Sequence, residues 1–319
     1  MQALQFTATG SLDSLHIKKL PKPRAAAGEV LVEVRATGVN PSDIKNISGL
    51  FPYTTVPRVP GRDFAGVVVE GPEELLGQAV WGGSGKGFGF YRDGCHAQYV
   101  CVPVNAVTPL PKSLTFAQAA TCGVPFITAW DALERSQVKA GTRFLIIGAG
   151  AVAKAAQVLA QARGADIVMA ARRAEVVHNL QEQGIKAFQL TEEGLLAEQA
   201  RQYFQQQAPE VIFETTGFWL NAAVSTVDTF GRVAIIAAPK EGVISLSSLN
   251  LYRRGGSIVG INSLLYSLEE CAQMLKHIGE AFDADLPAPT GFIELPLSQA
   301  ITAYQQVSAG AAEKIVLIP

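Results

Sequence analysis

Cysteines, charged residues and long apolar runs are all scarce in this sequence, and each scarcity excludes a class of protein. Four cysteines in 319 residues are too few for a disulfide scaffold, and they fit a reducing compartment. Charged residues make up 17% of the chain, with 26 basic residues against 28 acidic ones. Because nucleic acids and anionic membranes select a basic excess or patch, we expect neither as a partner.

No segment of the sequence has the pattern of a targeting signal or a membrane span. The start, MQALQFTATG, has no cationic stretch followed by an apolar one. The longest apolar stretch, residues 144–153, contains glycines and ends before Lys154, so it is too short to cross a bilayer. We therefore expect a cytoplasmic protein whose partner is a small molecule.

The remaining composition is that of a folded chain with two cores. Apolar residues account for 48%, and a chain of this length typically forms about two domains. The first part of the chain contains short strand patterns broken by Gly and Pro, such as Glu29–Thr37, in which Val30, Val32 and Val34 share one face. Further strand patterns cover Phe64–Glu70, Ala79–Trp81 and Gln98–Val102.

After residue 115 the pattern changes to apolar strands alternating with amphipathic helices. The predicted strands are Arg143–Ile147, Ile167–Ala171, Val211–Glu214, Arg232–Ala237 and Ser257–Ile261, and the predicted crossover helices are Ala151–Ala162, Ala174–Gln183 and Leu195–Gln207. This alternation is typical of an α/β fold with a doubly wound parallel sheet.

The tail of the chain is predicted to rejoin the β-rich domain. It contains helix patterns near Leu268–Ala281 and Leu297–Ser308 and a last strand, Lys314–Ile318. We predict a β-rich domain over residues 1–118, a parallel-sheet domain over 119–264, and a return to the first domain over 265–319.

The sharpest motif is Gly148-Ala-Gly150-Ala151-Val152-Ala153, which follows a strand and opens a helix. It satisfies the G-x-G-x-x-G/A dinucleotide fingerprint in the required context. Gly148 allows the tight turn, Gly150 lets the backbone approach a pyrophosphate, and the helix N-terminus offers free N–H groups to the phosphates. The alternative is a purely structural glycine turn.

The end of the second strand favours NADPH over NADH. Enzymes that use NAD place Asp or Glu there, about 20 residues after the fingerprint, to bond the ribose 2′-hydroxyl. This chain has Arg172 and Arg173 instead, and Asp166 lies at the other end of the strand. Two guanidiniums suit a 2′-phosphate, whereas the alternative is a pair of solvated arginines.

A Gly-rich segment, residues 82–94, imitates a phosphate loop but does not match one. It lacks the Gly-Lys-Ser/Thr ending of the P-loop, because Gly87 follows Lys86. We interpret it as a mobile loop over a pocket or a plain surface loop.

Several segments in order resemble the medium-chain dehydrogenase/reductase superfamily, and within it the zeta-crystallin-like quinone oxidoreductases. They are the entry GEVLVEVRATGVNPSDIK from Gly28, VPGRDFAGVVVE from Val59, GCHAQYVCVP from Gly94, PFITAWDAL from Pro125, the glycine turn, FETTG from Phe213 and the closing EKIVLIP. The resemblance implies a GroES-like catalytic domain, a Rossmann cofactor domain and an active site in the cleft between them.

The resemblance also assigns site residues. It places the Asn40 amide in the active cleft, Thr128 near the nicotinamide, and Thr216 in the FETTG segment of the cofactor site. The strand end at Ile258–Ser263, with Gly260 and Asn262, resembles the segment whose backbone meets the carboxamide. Asn40 is also a good helix N-cap before Pro41, and Thr128 also suits a helix in the domain interface.

The same alignment of motifs predicts that no metal binds. The positions that hold catalytic zinc ligands in zinc-dependent relatives are Asn40, Arg62 and Val124 here, and the four-cysteine structural zinc lobe is missing. Catalytic zinc requires thiolate, imidazole or carboxylate ligands. Cys95 and His96 form a rival cluster, but strand alternation points them to opposite faces.

The substrate pocket departs from its relatives. Two pocket tyrosines of many bacterial quinone reductases are Lys45 and Phe51 here, and Tyr53 lies nearby. Lys45 could orient a carbonyl oxygen or simply reach solvent, and Tyr53 is a candidate proton donor. No residue is compelling as the acid, so the proton could come from solvent.

Together these features predict a zinc-independent NADPH-dependent reductase that passes hydride to a quinone or an α,β-unsaturated carbonyl. One alternative is an NADPH-binding redox sensor or partner protein with little turnover, since the pocket tyrosines are lost. A zinc-type alcohol dehydrogenase is a further alternative. By resemblance we expect a homodimer formed through the Rossmann sheet edge at Ser257–Ile261.

Overall fold

The computed structural model describes residues 1–319 and divides the chain into two units. Unit 1 comprises Met1–Ile127 and Ser263–Pro319, and unit 2 comprises Thr128–Asn262. The tail therefore belongs with the N-terminal part. The limits predicted from sequence lie after residues 118 and 264, and as domain boundaries they remain a prediction.

Unit 1 is built mainly from antiparallel strands. Its elements before the unit boundary are β1 (Gln2–Phe6), β2 (Leu15–Lys19), β3 (Glu29–Val39), α1 (Pro41–Ile47), β4 (Asp63–Glu70), β5 (Ala79–Gly83), β6 (Tyr99–Pro103), β7 (Thr108–Pro109), α2 (Phe116–Ala120) and the start of α3 (Gly123–Arg135).

Unit 2 continues through α3 and alternates strands with helices. Its remaining elements are β8 (Arg143–Ile147), α4 (Ala151–Ala162), β9 (Asp166–Ala171), α5 (Ala174–Glu182), β10 (Ala187–Gln189), α6 (Leu196–Tyr203), β11 (Val211–Glu214), α7 (Leu220–Thr226), β12 (Arg232–Ile235), α8 (Ser248–Arg253) and β13 (Ser257–Gly260). The tail returns to unit 1 with α9 (Leu268–Ala284), β14 (Phe292–Pro296), α10 (Ala300–Ser308) and β15 (Lys314–Ile318).

The central strand of unit 1 is β3, whose valines face the core as the alternation predicts. Val30, Val32 and Val34 are buried in one cluster with residues of β4, β5 and β6. The sheet order is β14-β15-β3-β4-β5-β7, with β6 also on β3. The antiparallel pairing of β15 with β3 places Ile315 opposite Val39, so the end of the chain lies beside the start of α1.

Unit 2 contains the predicted parallel sheet. Its strand order is β10-β9-β8-β11-β12-β13, and every pairing is parallel. This is the order of the doubly wound dinucleotide-binding fold, in which connections run outward on both sides of β8. Ligands of such sheets bind beyond the carboxyl ends of the strands where the order reverses, here between β8 and β11.

Two expectations from the sequence are wrong. The Gly-rich segment 82–94 is packed into unit 1 instead of forming a surface loop, because Phe88 and Phe90 are almost fully buried and Ser84 Oγ bonds Ser263 Oγ at 2.9 Å. The helix predicted to end at Gln207 ends at Tyr203, and Gln205 and Gln206 have positive φ. No helix has the length and apolar character needed to cross a membrane.

Candidate active site

The glycine turn of unit 2 lies at the carboxyl end of β8, where the strand order reverses. Gly148 has a φ of +116°, and a Cβ there would collide with Thr215 Oγ1 of the loop after β11. That hydroxyl donates to the carbonyl of Ile147 at 2.7 Å. Only glycine fits both the backbone angle and the close approach of the two loops.

Gly150 differs from Gly148 in that nothing in the chain requires it. Its φ is −74° and it is the N-cap of α4 without a side-chain cap, and a Cβ would meet no atom within 4 Å. The open space beside it adjoins the free N–H groups of Ala151 and Val152 at the helix start, which is the cradle that a pyrophosphate needs. These residues fit a dinucleotide, the group that such a sheet carries.

A buried carboxylate accepts hydrogen bonds from the loop after β11, and sequence reasoning missed it. Glu214 ends β11 and is fully buried. Its Oε1 accepts from Thr216 N–H at 2.8 Å and from Thr216 Oγ1 at 2.5 Å, and its Oε2 accepts from Gly217 N–H at 2.8 Å. The predicted site residue Thr216 is therefore fixed by Glu214. An acid ending an otherwise apolar strand is the signal that could have found it.

Apart from Thr128, the other predicted cofactor residues lie at or just after the carboxyl ends of β9 and β13. Arg172 and Arg173 directly follow β9, are exposed and make no ion pair in the structure. Gly260 ends β13, with its carbonyl accepting from Arg135 Nη1 at 2.5 Å, and Asn262 follows as an exposed residue. Thr128 is buried in α3.

In unit 1, Asn40 is part of a buried polar cluster formed with Asp63 and Lys314. Asn40 Nδ2 donates to Asp63 Oδ2 at 2.8 Å, and Lys314 Nζ donates to Asn40 Oδ1 at 2.5 Å. The other oxygen of Asp63 accepts from Val124 N–H at 2.7 Å. Sequence reasoning found Asn40 but missed both charged partners, which are distant in sequence.

Asn40 also holds the N-cap position of α1, as predicted, with Pro41 at the first helical position. The helix start is completed by Asp43, whose Oδ2 accepts from the Asn40 backbone N–H at 2.8 Å. The side-chain amide of Asn40 is therefore free to serve the polar cluster.

Arg62 is a buried cation between α1 and an aromatic group. It is 2% exposed, its Nε lies 3.4 Å from Asp43 Oδ1, and its Nη2 donates to Ser42 Oγ. Its Cζ lies 5.5 Å from the ring centroid of Phe90, a cation–π distance.

Phe51, Tyr53 and Phe90 form what we call the aromatic trio. The centroid of Phe90 lies 5.0 Å from that of Phe51 and 5.5 Å from that of Tyr53, in tilted or edge-on arrangements. Tyr53 is 46% exposed, and partial burial raises the pKa of its hydroxyl, although the charge of Arg62 opposes the shift. Lys45 lies on the exposed side of α1 with no bonded partner, so its predicted catalytic role remains a prediction.

Cys95 and His96 have separate partners, but they lie in a bend before β6 and not in a strand, so the predicted alternation of faces does not apply to them. Cys95 Sγ lies 3.1 Å from Thr37 Oγ1, while His96 Nδ1 lies 2.8 Å from Tyr304 Oη and its Nε2 lies 3.2 Å from the Gly38 carbonyl. Burial lowers the pKa of His96, with the Asp43 charge opposing that shift. No three His, Cys, Asp or Glu side chains are grouped so that they could hold a metal ion.

The residues at the zinc-ligand positions do not fit zinc. An amide, a guanidinium and an apolar side chain stand there, and the nearby carboxylate of Asp63 already accepts bonds from Val124, Asn40 and Lys314. A fixed ammonium and a buried guanidinium would also repel a divalent cation.

Comparison with known proteins agrees with this fold. The chain matches the alcohol dehydrogenase GroES-like domain over residues 26–112 and the zinc-binding dehydrogenase family over residues 151–280. It is 35% identical to a zinc-type alcohol dehydrogenase-like protein of Schizosaccharomyces pombe, over 85% of this chain and 81% of that one. It is 27% identical to human quinone oxidoreductase, over 100% and 98% of the two chains.

Among solved structures, an alcohol dehydrogenase superfamily protein from Novosphingobium aromaticivorans superposes with a TM-score of 0.88. The two are 27% identical, and the match covers 100% of this chain and 99% of the other. The chain therefore belongs to the medium-chain dehydrogenase/reductase superfamily, in its quinone oxidoreductase branch. It is an oxidoreductase of that superfamily, with the predicted GroES-like and Rossmann domains, and its Rossmann domain implies NAD or NADP as cofactor.

Proposed function

We propose that this oxidoreductase uses NADPH, needs no zinc, and transfers hydride to a quinone or to the β-carbon of an α,β-unsaturated carbonyl. The observation that carries the proposal is the buried polar cluster of Asn40, Asp63 and Lys314. The Asp63 carboxylate accepts from Asn40, Val124 and Lys314 of this chain, and the presence of an ammonium in the cluster supports a site that works without zinc.

The preference for NADPH is supported by Arg172 and Arg173. Both side chains follow β9 at the carboxyl edge of the sheet, exposed and without an acidic partner. A 2′-phosphate would gain charge-assisted hydrogen bonds there, whereas the ribose 2′-hydroxyl of NADH would find no carboxylate to accept its hydrogen bond.

A flat conjugated acceptor is supported by the aromatic trio. Tyr53 and the partly buried Phe51 present ring faces and edges, and the Arg62 guanidinium lies against Phe90 of the same group. Aromatic rings combined with a fixed positive charge favour a planar acceptor that becomes electron-rich on reduction.

Bound NADPH supplies the hydride, which is the chemistry of the cofactor. The chain's own residues bind the cofactor and the acceptor and orient them. Asn40 offers an amide N–H at a fixed place, and Arg62 supplies positive potential beside the acceptor. The Tyr53 hydroxyl is protonated at neutral pH, as any tyrosine with its ordinary pKa of 10.0 is, and partial burial raises that pKa further. A raised pKa makes it a weak acid, so we assign protonation of the reduced acceptor to solvent.

We further propose that the protein forms a homodimer through β13. This strand is the last of its sheet, with one edge unpaired in the chain, and exposed apolar side chains near it include Phe230 and Tyr252. Unpaired strand edges with apolar neighbours favour pairing with a second chain. Sedimentation should give twice the chain mass of 33.8 kDa, and a monomer at micromolar concentration would contradict this.

The function is tested by following NADPH and NADH oxidation with a series of simple quinones and alkenones, with and without a metal chelator. Turnover that prefers NADPH and is insensitive to chelator is expected, and the ranking of acceptors separates quinone reduction from enone reduction. Loss of activity on chelation, restored by zinc, would refute the zinc-free mechanism. Tight NADPH binding without turnover on any acceptor would favour a sensor.

A further inference from the structure

The last strand of the chain carries a lysine into the polar cluster around Asn40. Because β15 pairs with β3 so that Ile315 lies opposite Val39, Lys314 lies beside Asn40. Its Nζ is 2.5 Å from Asn40 Oδ1 and 3.4 Å from Asp63 Oδ2. The side chain is only 10% exposed, so the ammonium is held in place and does not move freely in solvent.

The ammonium is not placed for the best ion pair. Asp63 is fully buried, and 3.4 Å is long for a charge-assisted bond between Lys314 and its carboxylate. Each charge instead makes its short contact with the Asn40 amide: the Asp63 carboxylate with Nδ2 and the Lys314 ammonium with Oδ1. Since buried ion pairs can commonly be replaced by apolar residues without loss of stability, stability alone does not account for a lysine here.

The consequence of this arrangement is a fixed amide orientation. The amide oxygen of Asn40 faces the ammonium, and its nitrogen faces the carboxylate. In the flipped orientation the NH2 group would face Lys314 and the oxygen would face Asp63, so both contacts would become repulsive. Only one of the two Nδ2 hydrogens has a partner within the chain. A buried N–H without a partner is unfavourable unless water or a ligand oxygen accepts from it.

We propose that Lys314 is a positioning residue that fixes Asn40 as a hydrogen-bond donor toward an oxygen of the bound ligand. The inference rests on the proposed function, because the ligand oxygen belongs either to a cofactor hydroxyl or to the carbonyl of the acceptor. Lys314 does not touch that ligand. It acts through the amide, and it supplies the positive charge of a site in which no metal ligands are present.

The test compares variants that separate orientation from stability. Lys314→Met removes the ammonium but leaves the buried Asp63 carboxylate without a counter-charge. It is therefore combined with Asp63→Asn, which removes both charges. Lys314→Arg retains the cation. Lys276→Met is the matched control, because Lys276 is an exposed lysine of α9 in the same unit. Thermal unfolding of all variants establishes which of them fold like the wild type.

The first measurement needs no cofactor. In protein labelled with ¹⁵N at asparagine side chains, the Asn40 amide is identified by its absence in Asn40→Ser. We expect slow hydrogen exchange in the wild type and exchange about tenfold faster in the Lys314→Met/Asp63→Asn variant, because the charged partners are gone. Unchanged exchange would overturn the inference. Since this experiment uses ligand-free protein, an inactive wild type would count against the proposed function alone.

The second measurement identifies the ligand oxygen. We expect the double variant to lose about tenfold in NADPH affinity or in kcat/KM for the acceptor, whereas the Lys314→Arg variant should keep most of the wild-type value. A change in NADPH Kd alone assigns the oxygen to the cofactor, and a change in acceptor kcat/KM at saturating NADPH assigns it to the acceptor. A double variant that binds NADPH and turns over like the wild type would overturn the proposal, because neither charge would then be needed to position Asn40.

Discussion

The two glycines of the fingerprint are needed for different reasons, Gly148 for the fold and Gly150 for the cofactor. Replacing each by alanine therefore separates folding from cofactor binding. At Gly148, φ is +116° and a new Cβ collides with Thr215 Oγ1. Backbone strain of about 1–3 kcal/mol and loss of the hydroxyl bond to Ile147, about 1 kcal/mol, should destabilise Gly148→Ala by about 2–4 kcal/mol.

At Gly150 the ligand-free fold should hardly change. The φ of −74° suits any residue and the space is open. Alanine reduces the entropy of the unfolded chain, worth about 0.4–1 kcal/mol, and is a poorer N-cap than glycine by a similar amount. The two effects offset each other to within about 1 kcal/mol. The methyl group, however, occupies the approach to the helix N-terminus, where each charge-assisted bond to phosphate contributes about 1.5–3 kcal/mol.

We therefore expect Gly150→Ala to unfold like the wild type and to bind NADPH about 10- to 100-fold more weakly. Urea unfolding and fluorescence titration with NADPH measure the two quantities. Gly194→Ala is the control, since Gly194 also has open space around it and no positive φ, and it should match the wild type in both assays. If Gly150→Ala binds NADPH with unchanged affinity, the pyrophosphate does not lie at this turn and the reasoning is refuted.

Three further predictions follow from the charges and from the buried groups. Replacing Arg172 and Arg173 together by alanine should raise the KM for NADPH about 10- to 100-fold and leave the KM for NADH nearly unchanged. Replacing the exposed Arg253 by alanine is the control. Equal effects on the KM of both cofactors would contradict the 2′-phosphate assignment. His96 has a folded-state pKa below its ordinary 6.5, so the unfolded state takes up the proton first and stability is lost as the pH falls below about 6.5. Between about pH 7.5 and 5.5, the free energy of unfolding in urea should fall by about 1 kcal/mol more for the wild type than for His96→Gln. If the two proteins lose stability equally over this pH range, His96 is not the cause. Burial raises the pKa of the Cys95, Cys101 and Cys122 thiols, to about 11 for the half-buried Cys101 and to about 12 for the buried Cys122. Iodoacetamide should therefore label all three slowly at neutral pH in the folded protein and rapidly in urea. Rapid labelling of Cys95 or Cys122 in the folded protein would contradict their burial.

The sequence was most informative where periodicity and local geometry decide the structure. The helix Ala151–Ala162 and the strands Arg143–Ile147 and Val211–Glu214 lie where predicted, because apolar runs bounded by turn residues specify buried parallel strands. The glycine turn was also predictable, because all its residues are adjacent in the sequence. The strand β10 was missed because three residues carry too little pattern to separate them from a loop. The edge strand β14 was missed because it is largely exposed and ends in Pro296, so it has no apolar face to recognise.

The candidate site of unit 1 could be predicted only in part, because its charges come from distant places in the chain. Asn40 is recognisable beside Pro41, but its partner Lys314 lies 274 residues away in a strand that is otherwise apolar. The packed Gly-rich segment presents the same difficulty, since Phe88 and Phe90 read as loop residues until tertiary contacts bury them.

A single charge at the edge of an apolar run is nevertheless a readable signal, and two residues here support that rule. Glu214 ends the apolar strand β11, and Lys314 begins the apolar strand β15. Burying either charge without partners would cost several kcal/mol. Each therefore implies a cluster of complementary groups at its strand end: backbone and hydroxyl donors for Glu214, and the Asn40 amide with Asp63 for Lys314. The charge alone predicts that such a cluster exists, and only the strand pairing tells which distant residues complete it.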